Sequence, residues 1–327
     1  MALAKALYIS KSKSTHDGRF VEALSQVLEL TEIYLDKSNS FKAQLAADEH
    51  KLIIASPLST GINFIPQGSN ATIIGICMAY EINEEAKEKS KADEIYKNIN
   101  LCAAIVCDCE YIRNELIGTY DFKGELLTIA YGCDQEVFWS ALFHNQEKLR
   151  IISTRNWTPV HSNTTSLEAL RLLLKSGVEF EANFYGTGTE LTQELRDKVS
   201  AEFSNKIHFL GEYNQEQLPT NLANSEVYIS ASISDGTSVS LLEALTAGRL
   251  CVCRDSPPNR EWITNGVNGF LFSTPSDLAE TLHSISRLPY EKKLLISNAA
   301  RESVLTRGNW EFMRTNLINF TKRWIEQ

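Results

Sequence analysis

The sequence has no long apolar run, no surplus of positive charge and no paired-cysteine motif. Each absence removes a class of protein. Without a run of about 20 apolar residues, no helix is expected to span a bilayer. The apolar stretch near the N-terminus covers only about six residues, too short for a secretory signal. A net charge of −9 argues against nucleic acid as a partner held by phosphate contacts. Seven cysteines, an odd number, include no C-x-x-C pair, and six histidines form no metal-spaced cluster. Buried, reduced thiols in a cytoplasmic protein are the expectation. No G-x-G-x-x-G follows the first apolar run, where 12–18 stand instead, so a nicotinamide dehydrogenase is disfavoured.

What remains is ordinary globular material, 43% hydrophobic and 22% charged. A chain of 327 residues is long enough for two domains. Charge divides unevenly: residues 1–147 hold 13 Lys and Arg against 21 Asp and Glu, and the remainder holds 19 against 20. Neither part carries a dense basic run, so charge does not support peripheral membrane contact.

Short β-type runs alternate with helical periodicity, which implies parallel sheets in two Rossmann-like domains. In the first half the strands are expected at 6–10, 32–35, 52–55, 72–78, 103–106 and 126–130. A helix is expected over 20–28, and an acidic, Lys-rich one over 84–98. In the second half strands are expected at 149–153, 180–185, 206–210, 227–230 and 250–253, with helices over 166–175 and 238–247. The domain boundary is placed in the polar stretch 144–148, giving 1–147 and 148–308. A last helix, 309–324, carries Trp310, Met313, Leu317, Phe320 and Trp324 at helical spacing and reads as a packing face.

The most informative stretch is 230–272. A strand ends at Ser230, a polar loop follows, and Asp235-Gly236-Thr237-Ser238 stands at a helix start. Free N–H groups and the helix dipole favour an anion there. Gly236 permits close backbone approach, and Thr237 and Ser238 add hydroxyls. Asp235 caps the helix or accepts hydrogen bonds from sugar hydroxyls. Glu243 lies eight residues on, about two helical turns, so both carboxylates are expected to face one cleft.

Asp235-x7-Glu243 with Ala244 and Gly248, followed by Glu261, Asn265-Gly266 and Asn268-Gly269-Phe270-Leu271-Phe272, resembles the signature of retaining GT-B glycosyltransferases of family 4. Asp235 departs from the Glu usual in that family. The resemblance extends to 129–138, similar to the family's interdomain I-P-N-G-V-D-x-x-x-F, and to Arg155 after the strand 149–153. The family's Lys some six residues beyond that Arg is His161 here. Gly186-Thr187-Gly188 and Gly211 are similar to its donor-binding G-x-G and f-L-G.

The resemblance implies an EC 2.4 enzyme with two Rossmann-like domains facing a cleft, the C-terminal helix (309–327) packing back on the N-terminal domain. The donor is expected to be a nucleotide-diphosphate sugar, UDP or GDP, with no other cofactor. It implies that Arg155, with His161, meets the diphosphate, that Asp235 orients the sugar and that Glu243 accepts from the ribose. No metal is required, in keeping with the lack of a D-x-D motif. The loop 11–18 resembles the family's glycine-containing loop that meets the donor phosphate or the acceptor, and it offers His16, Asp17 and Gly18, taken as acceptor-side residues. The segment 75–83, where relatives carry His-Gly, offers Tyr80 and Glu81. Tyr80 also reads as packing, and Glu81 as a helix-start charge. The acceptor is a glycan, a lipid-linked sugar or a small molecule, in surface polysaccharide or glycoconjugate synthesis. A GT-B nucleotide-sugar epimerase and a non-catalytic nucleotide-sugar-binding protein are the alternatives.

Overall fold

A computed structural model of the chain describes residues 3–35, 46–47, 49–66, 68–139 and 148–325. The chain divides into two compact units, Met1–Gly132 with Trp310–Gln327, and Cys133–Asn309.

The first unit is built on six parallel strands: β1 (Ala4–Ser10), β2 (Leu28–Tyr34), β3 (Leu52–Ser56), β4 (Thr72–Cys77), β5 (Ala104–Cys107) and β6 (Glu125–Thr128). They lie in the order β2-β1-β3-β4-β5-β6. β3 is buried along its whole length and β5 likewise, as expected for strands covered by helices on both faces. The C-terminal helix, Trp310–Ile325, belongs to this unit. It buries Met313, Leu317 and Phe320, and Arg314 donates to Gln26 Oε1 at 2.7 Å.

The second unit repeats the design with β7 (Leu149–Ser153), β8 (Phe180–Tyr185), β9 (Ile207–Gly211), β10 (Val227–Ser230), β11 (Leu250–Arg254) and β12 (Phe270–Phe272). Their order is β12-β11-β10-β7-β8-β9, again parallel. A core runs through it, from Leu149, Ile151 and Trp157 to Phe272 and Leu282. In such sheets the chain winds outward in both directions from its first strand. Crevices therefore open at the carboxyl ends of β1 and β3, and of β7 and β10.

Three expectations are corrected. The helix expected over 20–28 ends at Leu24, because Leu28 is already paired with Ala4 at the start of β2. The helix expected over 84–98 breaks at Glu88, which is extended, and resumes as Lys89–Leu101. Glu84, Glu85 and Glu88 would crowd like charges on consecutive turns of an unbroken helix. The units part after Gly132 rather than near residue 147. Cys133 N donates to Gly308 O at 2.9 Å and Gln135 Nε2 to Val304 O at 2.9 Å, tying 133–139 to the second unit. Of the expected boundary stretch, residues 144–147 lie outside the described residues.

All seven cysteines are buried and unbridged. Burial pushes the thiols of Cys107 and Cys253 up to about 12. Among the described residues, no group of three His, Cys, Asp or Glu is gathered so as to hold a metal ion, and no helix is long and apolar enough to cross a membrane.

At the amino-terminal edge of the second sheet, Lys293 pairs with Glu226 at 2.5 Å, with both side chains at most 5% exposed. Burial raises the Glu226 carboxyl above its ordinary range, and Lys293 opposes that shift. Removing one partner strands the other charge in the interior. Lys293→Met is therefore expected to cost about 3–5 kcal/mol in denaturant unfolding. Lys293→Met combined with Glu226→Leu should recover most of that loss.

Candidate functional site

The carboxyl ends of β7 and β10 place Arg155 and Asp235 together. Arg155 lies two residues beyond β7, and Asp235 five beyond β10. Arg155 Nη2 meets Asp235 Oδ2 at 2.5 Å, while Nη1 donates to Ser238 Oγ at 2.8 Å and to Ser240 Oγ at 3.0 Å. Burial is the largest influence on Arg155 and opposes its charge, but Asp235 together with the smaller effects of Tyr228, Cys253 and Tyr213 more than offsets it and lifts the guanidinium above its ordinary pKa. Burial likewise raises the Asp235 carboxyl, with Arg155 pulling the other way.

Asp235 does not lie on the helix. The helix runs Val239–Thr246, and its N-cap is Ser238, whose Oγ accepts from Leu241 N at 3.4 Å. The spacing to Glu243 is thus a loop plus just over one turn, not two helical turns. Glu243 is 3% exposed, in the second turn of that helix. Capping by Ser238 frees Asp235 for Arg155, and the hydroxyls of Ser238 and Ser240 bring the start of the helix beside the guanidinium. Thr237 is 4% exposed and its Oγ1 accepts from Trp262 Nε1 at 3.2 Å, so its hydroxyl faces the interior.

The loop that carries Arg155 is clamped from several sides. Asn163, fully buried, donates from Nδ2 to the carbonyls of Arg155 at 3.1 Å and Asn156 at 3.0 Å. Trp157 N donates to Thr187 O at 2.9 Å. Gly186 and Gly188 lie against this loop in positive-φ conformations of +93° and +154°. A Cβ on Gly186 would stand 2.7 Å from Arg155 O, and one on Gly188 would overlap the Trp157 carbonyl. The glycines are therefore required for close backbone packing on 155–157. Gly186 N also donates to Gly211 O at 2.6 Å, which brings the β9 end beside the same loop.

His161 is half-buried, with Nδ1 3.0 Å from Thr158 Oγ1. Burial, then the nearby charge of Arg155, lowers its pKa to about 4. It is a neutral imidazole at pH 7, not a second cation beside Arg155.

In the first unit, His16, Asp17 and Gly18 are not in a loop. They form the first turn of the helix Thr15–Leu24, which Ser14 caps with Asp17 as its capping-box partner. The Asp17 carboxylate also accepts from Tyr8 at 2.8 Å and Ser10 at 2.9 Å, and it is 3% exposed. A Cβ on Gly18 would meet nothing within 4 Å, so nothing there requires a glycine. His16 stacks on Tyr131, with ring centroids 4.4 Å apart, and Tyr131 Oη donates to Met78 Sδ. Glu81 is wholly buried. Its two carboxyl oxygens accept from Ser59 N and Met78 N. Burial outweighs those hydrogen bonds and pushes its pKa up to about 8. Asp17 and Glu81 are thus taken up by hydroxyls and backbone N–H groups of their own unit, while Tyr80 is 38% exposed and His16 partly so.

Sequence reasoning missed Asn163, Tyr228 and Ser240. Tyr228 is buried within β10, and its Oη stands 2.9 Å from Ser240 Oγ. The run of serines at 230, 232, 234, 238 and 240 was the available signal. A polar cavity of about 260 Å³ lies elsewhere in the second unit, at the amino ends of its strands, with Leu149, Glu226 and Lys293 in its wall.

This unit is the part of the chain that known proteins match most directly. Residues 134–303, just over half of the chain, match the family described as glycosyl transferases group 1. The chain belongs to that family. It is 29% identical over 123 residues to glycosyltransferase 1 domain-containing protein 1 of Xenopus tropicalis, covering 38% of this chain and 35% of that protein. It is 27% identical over 169 residues to the GtfA subunit of a UDP-N-acetylglucosamine–peptide N-acetylglucosaminyltransferase from Streptococcus parasanguinis, covering 49% of this chain and 32% of that protein. The aligned parts thus span about a third of the length of these relatives. The crystal structure of Anabaena Alr3699/HepE in complex with UDP has a TM-score of 0.80 at 13% identity, covering 98% of this chain and all of that one. The fold is GT-B.

The low pKa of His161 has a consequence for stability. Unfolded, the ring takes up a proton near its ordinary value of 6.5, whereas folded it resists until about 4. The unfolded state therefore gains protons first, and stability falls as pH drops from 6.5 to 4. His161→Gln should remove that part of the loss, seen as a shallower fall of Tm over the same range by calorimetry.

Proposed function

We propose that this chain is a retaining glycosyltransferase. It moves a sugar from a nucleoside-diphosphate donor, UDP or GDP, to a hydroxyl of a glycan, lipid-linked or small-molecule acceptor, in surface polysaccharide or glycoconjugate synthesis. The observation that carries this reading is the Arg155 guanidinium beside a helix start, at the point where the second sheet reverses its winding. Membership of the family supports the reaction class. The solved GT-B relative with UDP supports a uridine nucleotide as the first donor to test.

The chemistry follows from where charge develops. As the bond between the sugar carbon and the diphosphate breaks, negative charge grows on the leaving phosphate and positive charge on the sugar ring. Groups fixed in advance against the leaving charge stabilise that transition state more than the ground state. Arg155 and the N–H groups at the start of Val239–Thr246 take that part. Asp235, held by Arg155, orients the sugar ring, and Glu243 accepts from the ribose hydroxyls. Gly186, Thr187, Gly188 and Gly211 shape the nucleotide side by holding the Arg155 loop. In the first unit His16 and Tyr80, rather than Asp17 and Glu81, are the side chains presented to an acceptor. The diphosphate is neutralised by the chain's own donors, so turnover requires no divalent ion.

Arg155→Ala should lower turnover roughly 10²–10³-fold, and Glu243→Gln should raise the KM for the nucleotide sugar. Product formation followed by mass spectrometry should be unchanged by EDTA. Equal turnover by wild type and Arg155→Ala would sink the reading. Conversion of the donor in the absence of any acceptor would instead favour an epimerase.

A further inference from the structure

The hydroxyls behind Arg155 form a continuous chain. Tyr228 Oη and Ser240 Oγ are 2.9 Å apart, Ser240 Oγ and Ser238 Oγ are 2.9 Å apart, and Arg155 Nη1 donates to both serines. Tyr228 is fully buried, and Ser240 and Ser238 nearly so. One direction of donation satisfies both serines. Ser238 accepts from Leu241 N and Arg155 and donates to Ser240, which also accepts from Arg155 and donates to Tyr228 Oη. Tyr228 is anchored in the middle of the sheet, so the far end of this chain does not move. Three of the five N–H groups of Arg155 are thereby used, one on Asp235 and two on the serines. The buried Nε–H has no hydrogen-bond partner.

We infer that Tyr228 and Ser240 are positioning residues for Arg155, which they hold so that its remaining Nη2 N–H can meet the β-phosphate of a nucleoside diphosphate. This rests on the donor site assigned under the proposed function. A guanidinium on a flexible side chain loses conformational freedom when it binds a phosphate. Holding it beforehand by Ser240, Ser238 and Asp235 removes that cost from binding. The role concerns the diphosphate alone, since Tyr228 and Ser240 act through Arg155, the group assigned to the diphosphate. Substitution should therefore separate diphosphate binding from monophosphate binding, which a general loss of structure would not do.

The test is calorimetric titration of the full chain with UDP, GDP and the corresponding monophosphates. Tyr228→Phe and Ser240→Ala should each weaken binding of the diphosphate about 3- to 10-fold and leave the monophosphate unchanged. Ser240→Thr, which keeps the hydroxyl, should bind the diphosphate as wild type does. In an Arg155→Ala background, Tyr228→Phe should cause no further loss, because the hydroxyl chain then has no guanidinium to hold. If Arg155→Ala weakens diphosphate binding while Tyr228→Phe and Ser240→Ala do not, the positioning role is overturned and the donor site stands. An equal loss for mono- and diphosphate in these two variants also overturns the role. If Arg155→Ala binds the diphosphate as wild type does, or wild type binds neither nucleotide, the donor site itself is misassigned.

Discussion

A guanidinium drawn out of water must be answered by acceptors, and in the second unit that requirement organises the carboxyl edge of the sheet. Arg155 is only 12% exposed at its side chain, and its partners come from 80 or more residues away. They can reach it only because β7 and β10 are neighbours, although β8 and β9 separate them in sequence. That adjacency comes from winding the chain outward in both directions from β7. The same winding sets the start of the helix Val239–Thr246 at the crevice. The crossover topology is thus a precondition for the site, and the Arg155–Asp235 pair is where it takes effect.

The pair also explains features that look unrelated to charge. A desolvated ion pair tolerates little displacement, because attraction and desolvation nearly cancel. The backbone that bears Arg155 is accordingly fixed on several sides: Asn163 holds two of its carbonyls, Thr187 takes the Trp157 N–H, and two glycines let a neighbouring loop press against it. Trp157 fills the core beneath, against Phe184 and Phe209 at ring distances of 5.4 Å and 5.3 Å. The G-x-G of this chain is explained by contact between two loops before any ligand is considered.

Much of this framework was legible in the sequence. The strands 149–153, 180–185 and 227–230 were read with their observed bounds, since apolar runs between turn residues have few other interpretations. The helix expected over 238–247 is observed one residue shorter at each end, with Ser238 and Ala247 as its caps. Arg155 and Asp235 were singled out from their motifs, but their direct pairing was not foreseen, because nothing local encodes a contact across 80 residues. Tyr228 lies inside the apolar run read as the strand 227–230, and its hydroxyl became meaningful only once Ser240 faced it. The loop 11–18 misled for a physical reason. A capping box and an anion-binding loop draw on the same residues, Ser, Asp and Gly, and the sequence does not say whether the backbone or a ligand takes the hydrogen bonds.

Asp17 and Glu81 of the first unit and Asp235 of the second are used in opposite ways. Asp17 takes in Tyr8, Ser10 and a helix start, and Glu81 takes in two backbone N–H groups, so both are closed on their own unit. Asp235 is instead bound to a cation that keeps further donors in hand. Burial raises Glu81 to about 8, which favours its uncharged form near neutral pH. The acidic balance of residues 1–147 then resides largely on the surface, in groups such as Glu84, Glu88 and Glu110. At the carboxyl edge of the first sheet, His16 and Tyr80 present polar side chains with no strong charge. The second unit instead sets a fixed cation beside a helix start. The contrast follows from where each unit places its hydrogen bonds.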